Sequence, residues 1–246
     1  MRIAVICFLA LGVNLGFAQE VYVLKSAGIC QGCAEAVSKM LISGGLRSQI
    51  LGSENLKATL KSGDLLVVGG SEPDGEGEWA LKQDLIRVGA FDWLKQWISR
   101  GGRYLGICAG AYLAEAWIDP KAGERGLDLF PGRIESYSKR DQAAFYLRVQ
   151  VFGARALPRT DERRWVYFQD GPGFSIARGA SVQVFARFEK DGSPAALSFS
   201  HGKGRVGLIS PHFEADESWQ DGARAKDRDR RDYDLGVRFV RELLEQ

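Results

Sequence analysis

Two short motifs, roughly a hundred residues apart, carry the side chains best suited to covalent chemistry. Gly106-Ile107-Cys108-Ala109-Gly110 follows Arg103-Tyr104-Leu105 and precedes the apolar stretch Ala111-Tyr112-Leu113-Ala114. A G-x-C-x-G pentapeptide between a short strand and a helix is the cysteine form of the nucleophile elbow, a tight turn that lifts one side chain out of a sheet. The flanking glycines are needed because strand and helix crowd those positions and a Cβ would clash. Cys108 is the candidate nucleophile, although the pentapeptide alone also fits a small buried apolar residue. Thiol catalysis needs a base near the sulfur and a carboxylate to hold the imidazole in one tautomer. The sequence has only two histidines. His201 sits in a glycine-flanked turn and reads as a solvated residue. His212 follows the apolar run Val206-Gly207-Leu208-Ile209-Ser210 and Pro211, with Glu214 two residues further on. In an extended segment residues i and i+2 project the same way, so His212 and Glu214 are expected to reach one pocket and to form a Cys-His-Glu triad with Cys108.

A third motif is Cys30-Gln31-Gly32-Cys33. In an oxidising compartment a C-x-x-C pair can close as a small-loop disulfide, which leaves Cys108 as the odd thiol. A thiol redox role for Cys30 and Cys33 is the alternative reading. No second pair or nearby histidine completes four ligands, so no metal is expected.

The elements that must position these residues are legible in outline. Val21 to Leu24 reads as a first strand and Ala34 to Ile42 as a helix stopped by Gly44-Gly45. Ile50 and Leu51 suggest a short second strand, and Asn55 to Lys61 is ambiguous. Asp64 to Val68 is the continuous apolar run of a parallel strand buried on both faces, and it enters the loop Gly69 to Gly75. Glycines at such a strand end let backbone N–H groups approach a ligand, and a simple turn is an equally good reading. Phe91 to Ser99 is periodic at helical spacing and ends at Gly101-Gly102. This alternation predicts an α/β fold with a mostly parallel, doubly wound sheet, whose ligands bind beyond the carboxyl ends of the strands. From Leu129 to Ser200 short β-like runs follow: Gly132 to Tyr137, Ala144 to Phe152, Trp165 to Phe168, Val182 to Glu189 and Ala195 to Ser200. They read as an antiparallel elaboration of the same domain, with a hairpin turn at Asp191-Gly192. Asp221 to Asp234 alternates in charge sign and is expected to be a solvated loop. A final helix runs from about Asp234 to Glu245.

The chain has 246 residues, 45% hydrophobic and 26% charged, with a formal net charge of +2. These values suit a globular protein with a sizeable core and give no global field for nucleic acid or an anionic membrane. Met1-Arg2, the apolar run Ile3 to Leu15 and Gly16-Phe17-Ala18 read as a signal peptide over residues 1–18, followed by a domain over 19–246. Cys7 would be lost on processing. The apolar run is shorter than the ~20 residues that span a bilayer, so an exported chain, periplasmic or secreted, with no membrane span is expected.

The order of Gly69-Gly70, the Gly106 to Gly110 elbow, Gly202-Lys203-Gly204-Arg205 and Pro211-His212-Phe213-Glu214 resembles the class I glutamine amidotransferase-like superfamily. More narrowly, Gly101 to Tyr112 looks like the domain at the N-terminus of eukaryotic biotin-protein ligases, which also occurs as a free-standing bacterial protein. Phe168-Gln169-Asp170-Gly171-Pro172-Gly173-Phe174 fits that group too. The resemblance implies a flavodoxin-like sheet, Cys108 as nucleophile, His212 as general base and Glu214 as its orienter. It also implies an oxyanion hole from the backbone N–H of Ala109 and one from Gly70 or Ser71, each donor worth roughly 3 kcal/mol in the transition state. It places Cys108 at a helix N-terminus. Neither ammonia channelling to a synthetase nor biotin transfer is expected, because neither partner domain is read in the sequence. Cys30 and Cys33 depart from the small hydroxyl or glycine residues more common in that loop. The expected activity is an amidase or hydrolase acting on a small-molecule or peptide amide through a Cys108 thioester, with no cofactor. A non-catalytic binding or scaffold protein that keeps the elbow as fold geometry is the alternative. Oligomeric state and substrate identity are not legible.

Overall fold

The computed structural model describes residues 19–72, 77–119, 124–138, 144–152, 162–223 and 227–245. Residues 1–18, expected to be a signal peptide, lie outside the described residues. No helix among them is long and apolar enough to cross a membrane.

The first half of the chain builds alternating strands and helices. β1 is Val21–Lys25, α1 Cys33–Ser43, β2 Ser48–Gly52, α2 the single turn Leu56–Thr59, and β3 Leu65–Val68. Then come α3 Gly77–Arg87, α4 Phe91–Ser99, β4 Arg103–Ile107 and α5 Ala109–Tyr112. The sequence reading did not anticipate α3. Its inner face mixes Leu81 and Leu85 with the buried Lys82 and Asp84, which breaks the apolar periodicity. The second half is mostly β: β5 Trp117–Asp119, β6 Glu124–Arg125, β7 Gly132–Ser136, β8 Phe145–Val151, β9 Glu162–Phe168, β10 Pro172–Ile176, β11 Gln183–Phe188, β12 Pro194–His201 and β13 Gly204–Ile209. The amphipathic helix α6, Tyr233–Leu244, closes the described chain.

Among the described residues, nine strands form one sheet in the order β2-β1-β3-β4-β13-β12-β11-β8-β9. From β2 to β13 neighbours run parallel, and from β13 to β9 they run antiparallel. The expected antiparallel elaboration is thus in large part a direct continuation of the parallel sheet, while β7 stands outside it, paired antiparallel with β10. The buried parallel strands send alternate side chains to opposite faces. Val21, Val23, Leu65, Val67, Leu105 and Ile107 pack with α1 and α6 on one face. Tyr22, Leu24, Leu66, Val68 and Tyr104 pack with α3 and α4 on the other. Helices on both faces are why these strands read as unbroken apolar runs.

The segment expected to be a solvated loop before α6 behaves differently. Asp232 is buried, and Asp229, Asp232, Asp234 and Glu162 surround the Arg164 guanidinium of β9, itself only 3% exposed. Counting charge along the sequence missed a cation 65 residues away from Asp229 that draws its carboxylates inward.

Candidate active site

Register brings the chemistry to one end of the sheet. Ile107 of β4 pairs with Ile209 of β13, and Val68 of β3 pairs with Gly106. The residues just beyond, Gly69-Gly70, Cys108 and Ser210 to Glu214, therefore leave the sheet side by side. Cys108 N–H donates to Ile209 O at 3.0 Å, and Gly110 N–H donates to Gly69 O at 3.1 Å. The elbow glycines are sterically required: a Cβ on Gly106 would overlap the Gly110 carbonyl, and one on Gly110 would overlap the Val68 carbonyl. Cys108 has φ 50° and ψ −108°, a conformation strained for any residue with a Cβ and the mark of a sharp strand-to-helix turn. The helix it enters, α5, is a single turn. Its dipole is correspondingly small, so the helix N-terminus inferred from the resemblance contributes little charge stabilisation.

His212 is 4% exposed and Glu214 fully buried. His212 Nδ1 lies 2.8 Å from Glu214 Oε1, and the Cys108 sulfur acts on the same ring. Burial alone would depress the imidazole, yet the Glu214 carboxylate and then Cys108 outweigh it and push His212 up to about 10. His212 and Glu214 meet as expected, but not through an extended segment. Residues 211–214 make one β-bridge at His212 and then turn, and the turn folds Glu214 back under the imidazole. His201 pairs with Gly204 at the amino end of β13, which lies beside the amino end of β4, so it is remote from Cys108 at the other end.

Residues that sequence reasoning did not assign complete the frame. His212 N–H donates to Tyr167 O at 2.8 Å, so β9, the far edge of the sheet, curls back onto the site. The rings of Tyr167 and Trp219 lie 5.8 and 5.2 Å from the imidazole. Burial pushes the Tyr167 phenol up to about 12, so it stays a donor, and it holds Gln169 Oε1 at 2.8 Å. The Gln169 carbonyl in turn lies 3.7 Å from Cys108 Sγ. The one sequence signal for this contact was the aromatic, glycine-rich stretch from Phe168 to Phe174.

Gly70 packs directly against the pair: a methyl group built on it would stand 2.8 Å from His212 Cε1 and 3.7 Å from Cys108 Cβ. Among the described residues, the backbone N–H groups of Gly70, Ser71 and Ala109 meet no acceptor. Cys30 and Cys33 are joined in a disulfide, and among the described residues Cys108 is the free thiol. The disulfide, Ser71, Cys108 and His212 all line one cleft of about 1500 Å³. The cleft also exposes Trp79 and Glu72. A thiol, an imidazole held by a carboxylate, and free backbone donors around an open cleft form an arrangement able to attack and stabilise an acyl carbon.

Comparison with known proteins gives the family and the fold. A biotin-protein ligase of Schizosaccharomyces pombe is 31% identical over 146 residues, which is 51% of this chain and 22% of the ligase. An uncharacterised protein of Chlamydia muridarum is 35% identical over 133 residues, 49% of this chain and 51% of that protein. The chain thus matches about half or less of the length of these curated relatives. Among solved structures, a glutamine amidotransferase superimposes with a TM-score of 0.60 at 21% identity, covering 79% of this chain and 90% of the other, which shows a shared fold. The sequence model described as biotin-protein ligase, N terminal, matches residues 83–242, from within α3 to the last turn of α6, and the chain accordingly belongs to that family, on a glutamine amidotransferase-like fold.

Proposed function

We propose that this protein is an exported cysteine hydrolase or amidase of the glutamine amidotransferase-like class, acting on a small-molecule or peptide amide. The observation that carries the reading is the His212 imidazole held between Glu214 and Cys108 at the floor of an open cleft. The His212 imidazole, pushed up to about 10 beside Glu214, accepts the Cys108 proton as general base. Cys108 Sγ then attacks the carbonyl carbon, and the oxyanion is received by Ala109 N–H and by Gly70 or Ser71 N–H. His212 gives its proton to the departing amine as the C–N bond breaks, leaving a thioester on Cys108. Water, deprotonated by His212, releases the acid. Glu214 holds the ring throughout. Export rests on the first eighteen residues, and amino-terminal sequencing of protein recovered outside the cytoplasm should begin at Gln19.

Small esters and amides offered to the purified protein should leave an acyl mass on the Cys108 peptide, and Cys108→Ala should abolish turnover. Undiminished turnover in Cys108→Ala would overturn the proposal and favour a scaffold role for the fold.

A further inference from the structure

The Cys30–Cys33 disulfide takes no part in the mechanism above, yet it stands at the wall of the same cleft. Its surroundings connect it to the oxyanion side. Cys33 is 1% exposed and opens α1, which Ala34, Val37, Met40 and Leu41 anchor in the core. Cys30 lies in the loop ahead of it, between Gly28 and Gly32, both in left-handed conformation at φ 84° and 82°. From that loop Cys30 N–H donates to Gly70 O at 3.1 Å, and Gln31 N–H donates to Glu72 Oε1 at 2.9 Å. A Cβ on Gly69 would rest 3.8 Å from Cys33 Cβ, so the bridge also abuts the loop's first glycine.

These contacts fix a direction. The Gly70–Ser71 peptide is trans, as are all the described peptide bonds, and a trans peptide carries its C=O and N–H on opposite sides. Whatever holds the Gly70 carbonyl therefore sets where Ser71 N–H points. Cys30 holds it, and the disulfide ties Cys30 to the buried start of α1. We infer that the Cys30–Cys33 bridge is the positioning element of the oxyanion hole, clamping the Gly70–Ser71 peptide opposite Ala109 through the Cys30 N–H. This rests on the nucleophile role proposed for Cys108. Opening the bridge frees a loop with two flexible glycines and lets that peptide rotate, while His212, Glu214 and Cys108 keep their contacts.

Two reagents separate these effects. Acylation of Cys108 by p-nitrophenyl acetate passes through an oxyanion, whereas alkylation by iodoacetamide displaces iodide at a saturated carbon and forms none. Both are read by mass on the Cys108 peptide, in the intact protein, in Cys30→Ala/Cys33→Ala, and in wild type treated with a phosphine that is then removed. The phosphine supplies two electrons to the S–S bond and takes up oxygen from water, leaving two thiols. The expected result is an acylation rate lowered roughly 10- to 100-fold in the variant and in the reduced protein, below the roughly 100- to 1000-fold cost of removing an oxyanion donor outright because the donor is displaced and not deleted, with alkylation unchanged and reoxidation restoring the wild type alone. An unaltered ratio of acylation to alkylation overturns the inference. So does a parallel fall in both rates, which would assign the bridge to the fold as a whole. If Cys108 of the intact protein reacts with neither reagent faster than the unfolded chain, the nucleophile reading fails and the inference fails with it.

Discussion

Strand β9 supports two buried charge clusters, and they differ in what they leave open. At one end Arg164 is enclosed by Glu162, Asp229, Asp232 and Asp234, and its Nη2 also donates to Arg231 O at 2.8 Å. At the other, Tyr167 holds His212, which is shared between Glu214 and the free thiol of Cys108. The first cluster is shut off from the cleft and ties the segment before α6 to the sheet edge. The second opens onto about 1500 Å³ of cleft and contains the thiol proposed as nucleophile. Buried charge by itself therefore does not mark a functional site; access and a reactive partner do. Removing a group from the closed cluster should cost stability, and removing one from the open cluster should cost chemistry.

The largest effect should come from Glu214→Gln. An amide in place of a triad's orienting acid no longer favours the imidazolium, and acylation of Cys108 should fall by up to roughly 10⁴-fold. The His212 titration followed by NMR should move down from about 10. Because His212 is raised above its unfolded value, its stabilising contribution is complete below about pH 6.5 and is lost as pH climbs through about 10. The variant's deficit in melting temperature should accordingly be greatest near pH 6 and shrink in alkali.

Arg164→Met should do the reverse. It strands carboxylates around an apolar chain and should cost about 3–5 kcal/mol in denaturant unfolding, with the alkylation rate of Cys108 in the folded fraction unchanged. Glu242, on α6, belongs to neither cluster. Its Oε1 has no partner among the described residues, and burial pushes the carboxyl up to about 7 against the pull of Arg238 and Arg205. A carboxyl raised in the folded state costs stability progressively from its unfolded value up to about 7, and the full cost remains above that. Glu242→Gln should therefore gain on the order of 1 kcal/mol at pH 9 relative to pH 6, read from paired melts. The smallest effect concerns the elbow. Cys108→Gly relieves the positive φ that Cys108→Ala retains, and should unfold about 1 kcal/mol later than the alanine variant after the glycine's own entropy cost.

What the sequence disclosed follows from range. Local patterns worked: Phe91–Ser99 was bounded by its apolar spacing and Gly101-Gly102, and the Asp191-Gly192 turn by its residue types. Cys108 was found because an elbow needs glycines at fixed offsets, and His212 because histidines are scarce. Long-range closure was not legible. Nothing in the spacing says that β9 curls back to pair with His212, or that Gln169 reaches Cys108, because both depend on how far the antiparallel half of the sheet bends. The same holds for Arg164, whose partners lie some seventy residues downstream and whose charge balance along the chain looks unremarkable until the carboxylates converge. The i, i+2 argument for His212 and Glu214 reached the right neighbours through the wrong backbone, since a turn can bring together side chains that an extended segment would merely align.

The central claim is that Cys108, His212 and Glu214 work as one unit, and the most direct measurement is the rate at which iodoacetamide alkylates Cys108 at pH 7 in the native protein, in the unfolded chain and in His212→Asn. Native Cys108 should react at least roughly 10-fold faster than the unfolded chain, the scale of activation expected of a paired catalytic thiol, and His212→Asn should lose that advantage. A native rate no greater than that of the unfolded chain, or one that His212→Asn leaves intact, would contradict it.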